Sequence, residues 1–187
     1  MRLVVSLAFL TLALVAVACS PEAQAQRGGN DYCSFGQHST LFLIDRTTAY
    51  DANDERILMR SASTVVQELG IGDRIVVATI AGHYSSSEVV FNECNPGCPP
   101  SRDDCRPVAA RRDRLMFQQR LVTALRPLTR NTGSADNSDI TGTLSQLTRR
   151  PPARRAFTNV LLYSDMLENS QALPWSSFRS QTPEQSM

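Results

Sequence analysis

The apolar residues of this chain alternate between continuous runs and runs with helical spacing. The segments 41–45, 73–80 and 157–165 each contain four consecutive apolar residues, at 41–44, 75–78 and 160–163, and such runs are typical of strands covered on both faces of a sheet. Between the first two, residues 51–70 form one helical face from Leu58, Ala62, Val65 and Leu69, with acidic residues at the start and a glycine at the end. This strand, helix, strand order predicts a right-handed crossover and parallel strands.

The remaining elements complete the predicted sheet and its helices. A short strand at 88–92 follows the second strand after only seven residues, which predicts an antiparallel edge strand because a parallel crossover needs a longer connection. A helix at 108–125, ended by Pro127, is predicted to turn Leu115, Val122 and Leu125 inward and its arginines outward. A last helix follows the polar loop at 131–139, with Ile140, Leu144 and Leu147 on its inner face.

The amino-terminal residues have the pattern of a secretory signal peptide: one arginine, an apolar stretch and small residues at its end. Two processing sites are possible. Cleavage after Ala25, at an A-x-A site, gives a leader of 1–25, whereas Ala16-Val-Ala-Cys19 resembles a bacterial lipobox and gives a leader of 1–18 with lipid on Cys19. In both cases the chain is exported, either to the periplasm or as an outer-membrane lipoprotein, and residues 26–40 are predicted to be a tether.

Length and cysteine content fit one exported domain. The chain has 187 residues, 42% of them hydrophobic, which supports a single core in a domain at 41–180. Four cysteines remain beyond Cys19, and an oxidising compartment favours two disulfides. We expect one bridge from Cys33 to the 94–105 loop and one within that loop, which contains Cys94, Cys98 and Cys105. Zinc held by the four thiolates is the alternative, although the C-x3-C-x6-C spacing lacks paired C-x2-C motifs.

The charged residues do not indicate a nucleic-acid partner. All nineteen basic residues are arginine, yet the formal net charge is only +1. The charge is uneven, with six Arg against eleven acids from Gln26 to Cys105 and twelve Arg against six acids from Arg106 onward. This distribution predicts either a solvated surface or an electropositive helical face.

Two of the predicted strands end in an aspartate, at Asp45 and Asp165. Hydroxyls follow the first at Thr47 and Thr48, and Ser138 lies in the loop that leads into the last helix. Since ligands bind at the carboxyl ends of strands in open α/β sheets, these side chains are expected to share one rim. Their oxygens suit Mg²⁺, Mn²⁺ or Ca²⁺. The alternative is that Asp45 merely caps the helix that follows.

These segments resemble the von Willebrand factor A (vWA) domain family. The resemblance rests on Asp45-Arg-Thr47-Thr-Ala49, similar to the D-x-S-x-S motif of the family's metal-ion-dependent adhesion site, on Ser138-Asp-Ile-Thr-Gly-Thr-Leu144, and on Leu161-Leu-Tyr-Ser-Asp165. It implies a three-layer, Rossmann-like α/β fold whose central sheet is mostly parallel with one antiparallel edge strand. It also implies a divalent cation bound by Asp45, Thr47, Ser138 and Asp165. Ala49 departs from the motif, since the family has a second serine there.

The resemblance further implies a function in protein binding, in which the cation accepts a carboxylate from a partner protein. Membrane association would come only through lipid on Cys19. A metal-independent, disulfide-stabilised envelope scaffold is the first alternative. A hydrolase or phosphatase is the second, but none of the common catalytic motifs is present, and His38 and His83 are isolated and expected at the surface or in packing.

Overall fold

The structure, a computed structural model, describes residues 32–47, 49–100, 103, 105–130, 137–149, 151, 156–167 and 170. The signal peptide, both processing sites and Cys19 lie outside these residues. The main elements in chain order are β1 (Ser39–Asp45), α1 (Ala52–Glu68), β2 (Arg74–Ile80), β3 (Val89–Cys94), α2 (Pro107–Leu125), α3 (Ile140–Arg149) and β4 (Asn159–Tyr163). Short 3-10 turns cover Tyr32–Ser34, Tyr84–Ser86 and Leu128–Arg130.

The four strands form one mixed sheet in the order β3-β2-β1-β4. β1 pairs in parallel with β2 and with β4, and β3 is antiparallel to β2 at one edge. Asp45 is opposite Ile80 and Ile44 is opposite Tyr163, so the carboxyl ends of the three parallel strands lie at the same rim. The predicted α/β class, parallel core and antiparallel edge strand are confirmed.

Both faces of β1 and β2 are covered, as their apolar runs predict, whereas the prediction is wrong for β4, an edge strand whose Val160 and Leu161 are 46% and 39% exposed. On one face, Phe42, Ile44, Ile75 and Val77 pack with α1 and α2 in the larger core cluster. On the other face, Leu41 and Leu43 join the cluster that includes Ile140 of α3. Residues that alternate along β1 therefore enter different clusters, and the sheet is the middle of three layers.

The helix α1 begins at a capping box. The Asp51 carboxylate accepts hydrogen bonds from the backbone N–H groups of Asn53 and Asp54, and the Asp54 side chain accepts one from the Asp51 N–H. The buried face is Leu58, Ala62, Val66 and Leu69, and Val65 packs beside it partly buried. The predicted helix is confirmed, with Val66 replacing Val65 on the most buried line.

The inner face of α2 differs from the sequence prediction. The buried residues are Ala110, Phe117, Leu121 and Leu125, whereas Leu115 is 56% exposed and Val122 is 36% exposed. The prediction that Leu115 and Val122 face the core is wrong, and that for Leu125 is confirmed. The physical reason is that Phe117, the largest apolar side chain of the helix, packs edge-on against Phe91 of β3 with ring centroids 5.5 Å apart and so fixes the rotation of α2.

The four cysteines form two disulfides, as predicted. Cys33 bonds to Cys94 at the end of β3, with Cα atoms 5.2 Å apart, and Cys98 bonds to Cys105 within the loop before α2. The zinc alternative is therefore wrong. Disulfides persist in oxidising compartments, so the pairing indicates a non-cytoplasmic location. Among the described residues, no helix has the length and apolarity needed to cross a bilayer.

Residues 32–38, within the segment predicted as a tether, pack closely against the domain. The Tyr32 hydroxyl donates to Asp113 at 2.9 Å, and the buried Asp73 carboxylate accepts from the N–H groups of Gln37 and His38 at 3.0 Å each. A Cβ atom on Gly36 would lie only 1.9 Å from the carbonyl oxygen of Gly72, which has a φ of +82°. This close backbone approach requires a glycine at both positions.

Candidate functional site

The Asp45 carboxylate lies at the carboxyl end of β1 and is only 1% exposed. Its Oδ1 accepts hydrogen bonds from the Thr47 N–H at 2.9 Å and the Thr47 hydroxyl at 2.6 Å. Its Oδ2 accepts from the hydroxyls of Ser138 at 3.0 Å and Ser164 at 2.8 Å. All four donors are neutral N–H or O–H groups, and they satisfy the buried carboxylate by hydrogen bonds. We call Asp45, Thr47, Ser138 and Ser164 the Asp45 site.

Ser138 reaches the site because the start of α3 is fixed to the end of β2. The Asp139 N–H donates to the carbonyl of Ala81 at 3.1 Å, which positions the loop beside the sheet rim. The Asp139 carboxylate accepts from the Gly142 N–H at 2.9 Å in the first turn of α3, and from the Tyr84 N–H at 3.0 Å. Asp139 thus caps α3, and Ser138, one residue earlier, is free to face Asp45. Thr141, the next hydroxyl residue along this segment, is exposed.

Ser164 is the site residue that the sequence analysis missed. It follows β4 directly, and β4 is the parallel neighbour of β1, so its hydroxyl lies beside Asp45 at the same rim. The hydroxyl oxygen also accepts a hydrogen bond from the Met166 N–H at 2.9 Å, which fixes its orientation. The only signal in the sequence is a hydroxyl residue immediately after the apolar run of the last predicted strand, and this signal does not show whether Ser164 or Asp165 faces Asp45.

Asp165 lies at the same rim but is exposed, and its Oδ1 accepts a hydrogen bond from the Leu167 N–H at 3.0 Å. The structure therefore brings together three of the four predicted ligands, Asp45, Thr47 and Ser138, and places Ser164 in direct contact with Asp45. Ala49 is exposed, and Thr48 lies outside the described residues. His38 and His83 are both exposed, and Nδ1 of His83 accepts from the Ser85 N–H, so both are surface residues as predicted.

The alternative role of Asp45 as a helix cap is wrong, because Asp51 caps α1. Between these residues, the Tyr50 hydroxyl donates to the backbone carbonyl of Asp45, and its ring packs 5.6 Å from that of Tyr163. Burial raises the pKa of Tyr50 well above its usual value, and the negative charges of Asp45, Asp54 and Asp165 add to the effect. Tyr50 therefore stays a neutral donor.

The oxygen atoms of the Asp45 site are of the chemical type that binds hard divalent cations. A hydroxyl that donates its proton to Asp45 keeps lone pairs on its oxygen for a cation, and oxygen ligands are those that Mg²⁺, Mn²⁺ and Ca²⁺ prefer. Within the described residues no three His, Cys, Asp or Glu side chains converge. A cation at this site would consequently be held by hydroxyl oxygens and one carboxylate, which leaves most of its charge available to another ligand.

The chain matches no protein family model, and no curated protein or solved structure is significantly similar to it.

Proposed function

We propose that this chain is an exported, vWA-like domain that binds a partner protein through a divalent cation at the Asp45 site. The observation that carries the proposal is the convergence of three hydroxyls on both oxygens of one buried carboxylate, at the rim where open α/β sheets bind ligands. Thr47, Ser138 and Asp45 would hold the ion, with Ser164 added to the predicted set. Asp165 is near enough to Tyr50 to influence its titration and would act at the edge of the site.

The charge of the rim supports a cation as the link to a partner. Asp45, Asp54 and Asp165 are negative charges near Tyr50 at this edge, and each of them opposes the approach of a partner's acidic group. When bound, the ion supplies a positive centre with few charged ligands, and a partner's carboxylate can complete its coordination. The hydroxyls of this chain would then position the ion, and their hydrogen bonds to Asp45 would fix their orientations.

The test is isothermal titration of the exported chain with Mg²⁺, Mn²⁺ and Ca²⁺. We expect saturable heat for the unmodified protein and affinity lower by roughly tenfold or more for Ser138→Ala and Ser164→Ala. Ser63→Ala, an exposed serine on α1, is the matched control and should titrate like the unmodified protein. Absence of heat with all three ions, or equal affinity in all variants, would refute the cation site.

A metal-independent scaffold is the second candidate, because one observation favours it. The Asp45 carboxylate already accepts four hydrogen bonds from protein groups and needs no ion to be satisfied. In that case Asp45 ties β1, β4 and the start of α3 together. The two candidates differ in their response to EDTA, which removes partner binding only in the cation-dependent case.

We further propose that the domain acts in the bacterial envelope. Cleavage after Ala25 would release it into the periplasm, whereas lipid on Cys19 would attach it to the outer membrane. The two disulfides support an oxidising location common to both. The mass of the exported chain distinguishes the two.

A further inference from the structure

The helix α2 carries a second apolar line on the side away from the core. Val108, Leu115 and Val122 are 85%, 56% and 36% exposed. Val108 lies about two and a half turns before the buried Phe117, which places it on the opposite side of the helix. The seven-residue spacing keeps the three side chains in line over about 21 Å. We call these three residues the outer stripe of α2.

Single exposed aliphatic residues are common on protein surfaces, but an aligned set opposite a complete core face is not. The core face of α2 is already supplied by Ala110, Phe117, Leu121 and Leu125, so folding of the domain does not require the outer stripe. Aliphatic residues at every seventh position supply one of the two apolar positions per heptad through which helices pack. The outer stripe therefore has the geometry of a helix-packing surface.

Arg111 and Arg112 lie on either side of the outer stripe at its amino-terminal end, and Arg126 follows the last residue of α2 in line with Val108. All three arginines are exposed. The one acidic residue of α2, Asp113, accepts a hydrogen bond from the Tyr32 hydroxyl at 2.9 Å and so faces the domain. Arg112 lies 3.4 Å from the Asp113 carboxylate, but this exposed pair is weak. Positive charge therefore lies beside the first turn of the stripe and just beyond its last residue.

We propose that the outer stripe binds an amphipathic helix of a partner protein, with apolar residues at heptad spacing and acidic residues on its flanks. The apolar line would cover Val108, Leu115 and Val122, and the acids would pair with Arg111, Arg112 and Arg126. A second copy of this chain fits less well, because the arginines beside its own outer stripe would repel the arginines of the first copy. A lipid surface also fits less well, since the face has no aromatic residue to anchor it at the interface.

The test uses a designed helical peptide of three heptads with Leu at the core positions and Glu on the flanks, and its counterpart with Lys on the flanks. Binding to the chain, purified after export with its own leader, is measured by fluorescence anisotropy in EDTA, so that a cation at the Asp45 site plays no part. We expect the Glu peptide to bind and the Lys peptide not to bind. Leu115→Gln should weaken the Glu peptide by at least about tenfold, because it removes a buried leucine contact.

The matched control is Ile57→Gln, since Ile57 is 45% exposed on α1 and should leave binding unchanged. The double variant Arg111→Glu, Arg112→Glu should reverse the preference toward the Lys peptide, which a merely misfolded protein cannot do. The proposal is overturned if neither peptide binds, if both bind equally, or if Leu115→Gln behaves like Ile57→Gln. It is also overturned if vesicles of phosphatidylglycerol bind at the stripe and the Glu peptide does not, or if Leu115 proves to mediate self-association in sedimentation.

Discussion

At the scale of single residues, the turn after β4 places the Ser164 hydroxyl on the Asp45 carboxylate and leaves Asp165 exposed. Asp45, Thr47 and Ser138 could be predicted because each lies within two residues of the end of a recognisable element. The contact of Ser164 with Asp45 at 2.8 Å could not be predicted, since one residue along a turn decides whether Ser164 or Asp165 faces inward. Repulsion between like charges favours the hydroxyl, and Asp165 binds the Leu167 N–H instead.

Phe117 and Leu115 provide a direct test of the orientation of α2. Phe117 is fully buried, so Phe117→Ala should lower the free energy of unfolding by about 3 to 5 kcal/mol through the cavity it leaves. Leu115→Ala removes an exposed side chain and should change the free energy of unfolding by less than about 0.5 kcal/mol. Urea denaturation followed by circular dichroism measures both. Comparable losses in the two variants would show that the helix is rotated from the orientation described.

At the scale of elements, the four strands and three main helices found among the described residues could be predicted from apolar spacing, with ends that differ by a few residues. The orientation of α2 was predicted wrongly, because the helix has two apolar lines and their spacing alone does not show which of them faces the core. The packing of Phe117 against Phe91 in β3 decides between them, and this is a contact between residues distant in sequence. Tertiary contacts of this kind are absent from a local pattern.

The capping box of α1 predicts a specific pH dependence. Hydrogen bonds from the Asp54 and Asn53 N–H groups lower the pKa of Asp51 below its usual value. A lowered folded-state pKa contributes stability that is present above the unfolded-state value, near pH 4, and is lost as the pH falls through the folded-state value. Asn caps helices about as well as Asp but does not titrate. Asp51→Asn should therefore match the unmodified protein at pH 7 and lose less stability on acidification.

Urea midpoints at pH 7 and pH 3 for the two proteins measure this difference. Asp51→Ala serves as the control, because it removes the cap and should be less stable than the Asn variant at both pH values. Equal acid sensitivity in the unmodified protein and the Asn variant would contradict an electrostatic role for Asp51.

At the scale of the whole molecule, the order of strands and helices constrained the fold more strongly than any motif. Parallel pairing of β1 with β2 followed from the intervening helix, and the short connection to β3 required an antiparallel edge. The place of β4 beside β1 could not be read from the sequence alone, because a strand after a long connection can pair at either side. Only the expectation that Asp45 and Asp165 share a rim pointed to it.

The intact mass of the exported chain tests three expectations together. Cleavage after Ala25 and cleavage before Cys19 leave chains of different length, and lipid adds further mass to the second. Reduction should then add the mass of four hydrogen atoms, because two disulfides open. Mass spectrometry before and after reduction measures these quantities. A mass that includes residues 1–18 would contradict export by either route, and no gain on reduction would contradict the disulfides.

The packed segment at 32–38 limits how far the chain can be truncated from its amino terminus. A fragment that starts at residue 41, where the domain was predicted to begin, would leave Cys94 as an odd thiol and remove the two backbone donors that Gln37 and His38 give to Asp73. It would also uncover the turn at Gly72. Deletion variants should therefore keep the chain from Tyr32 onward. Poor yield from shorter fragments would reflect the lost contacts of residues 32–38 and would not indicate a lost activity.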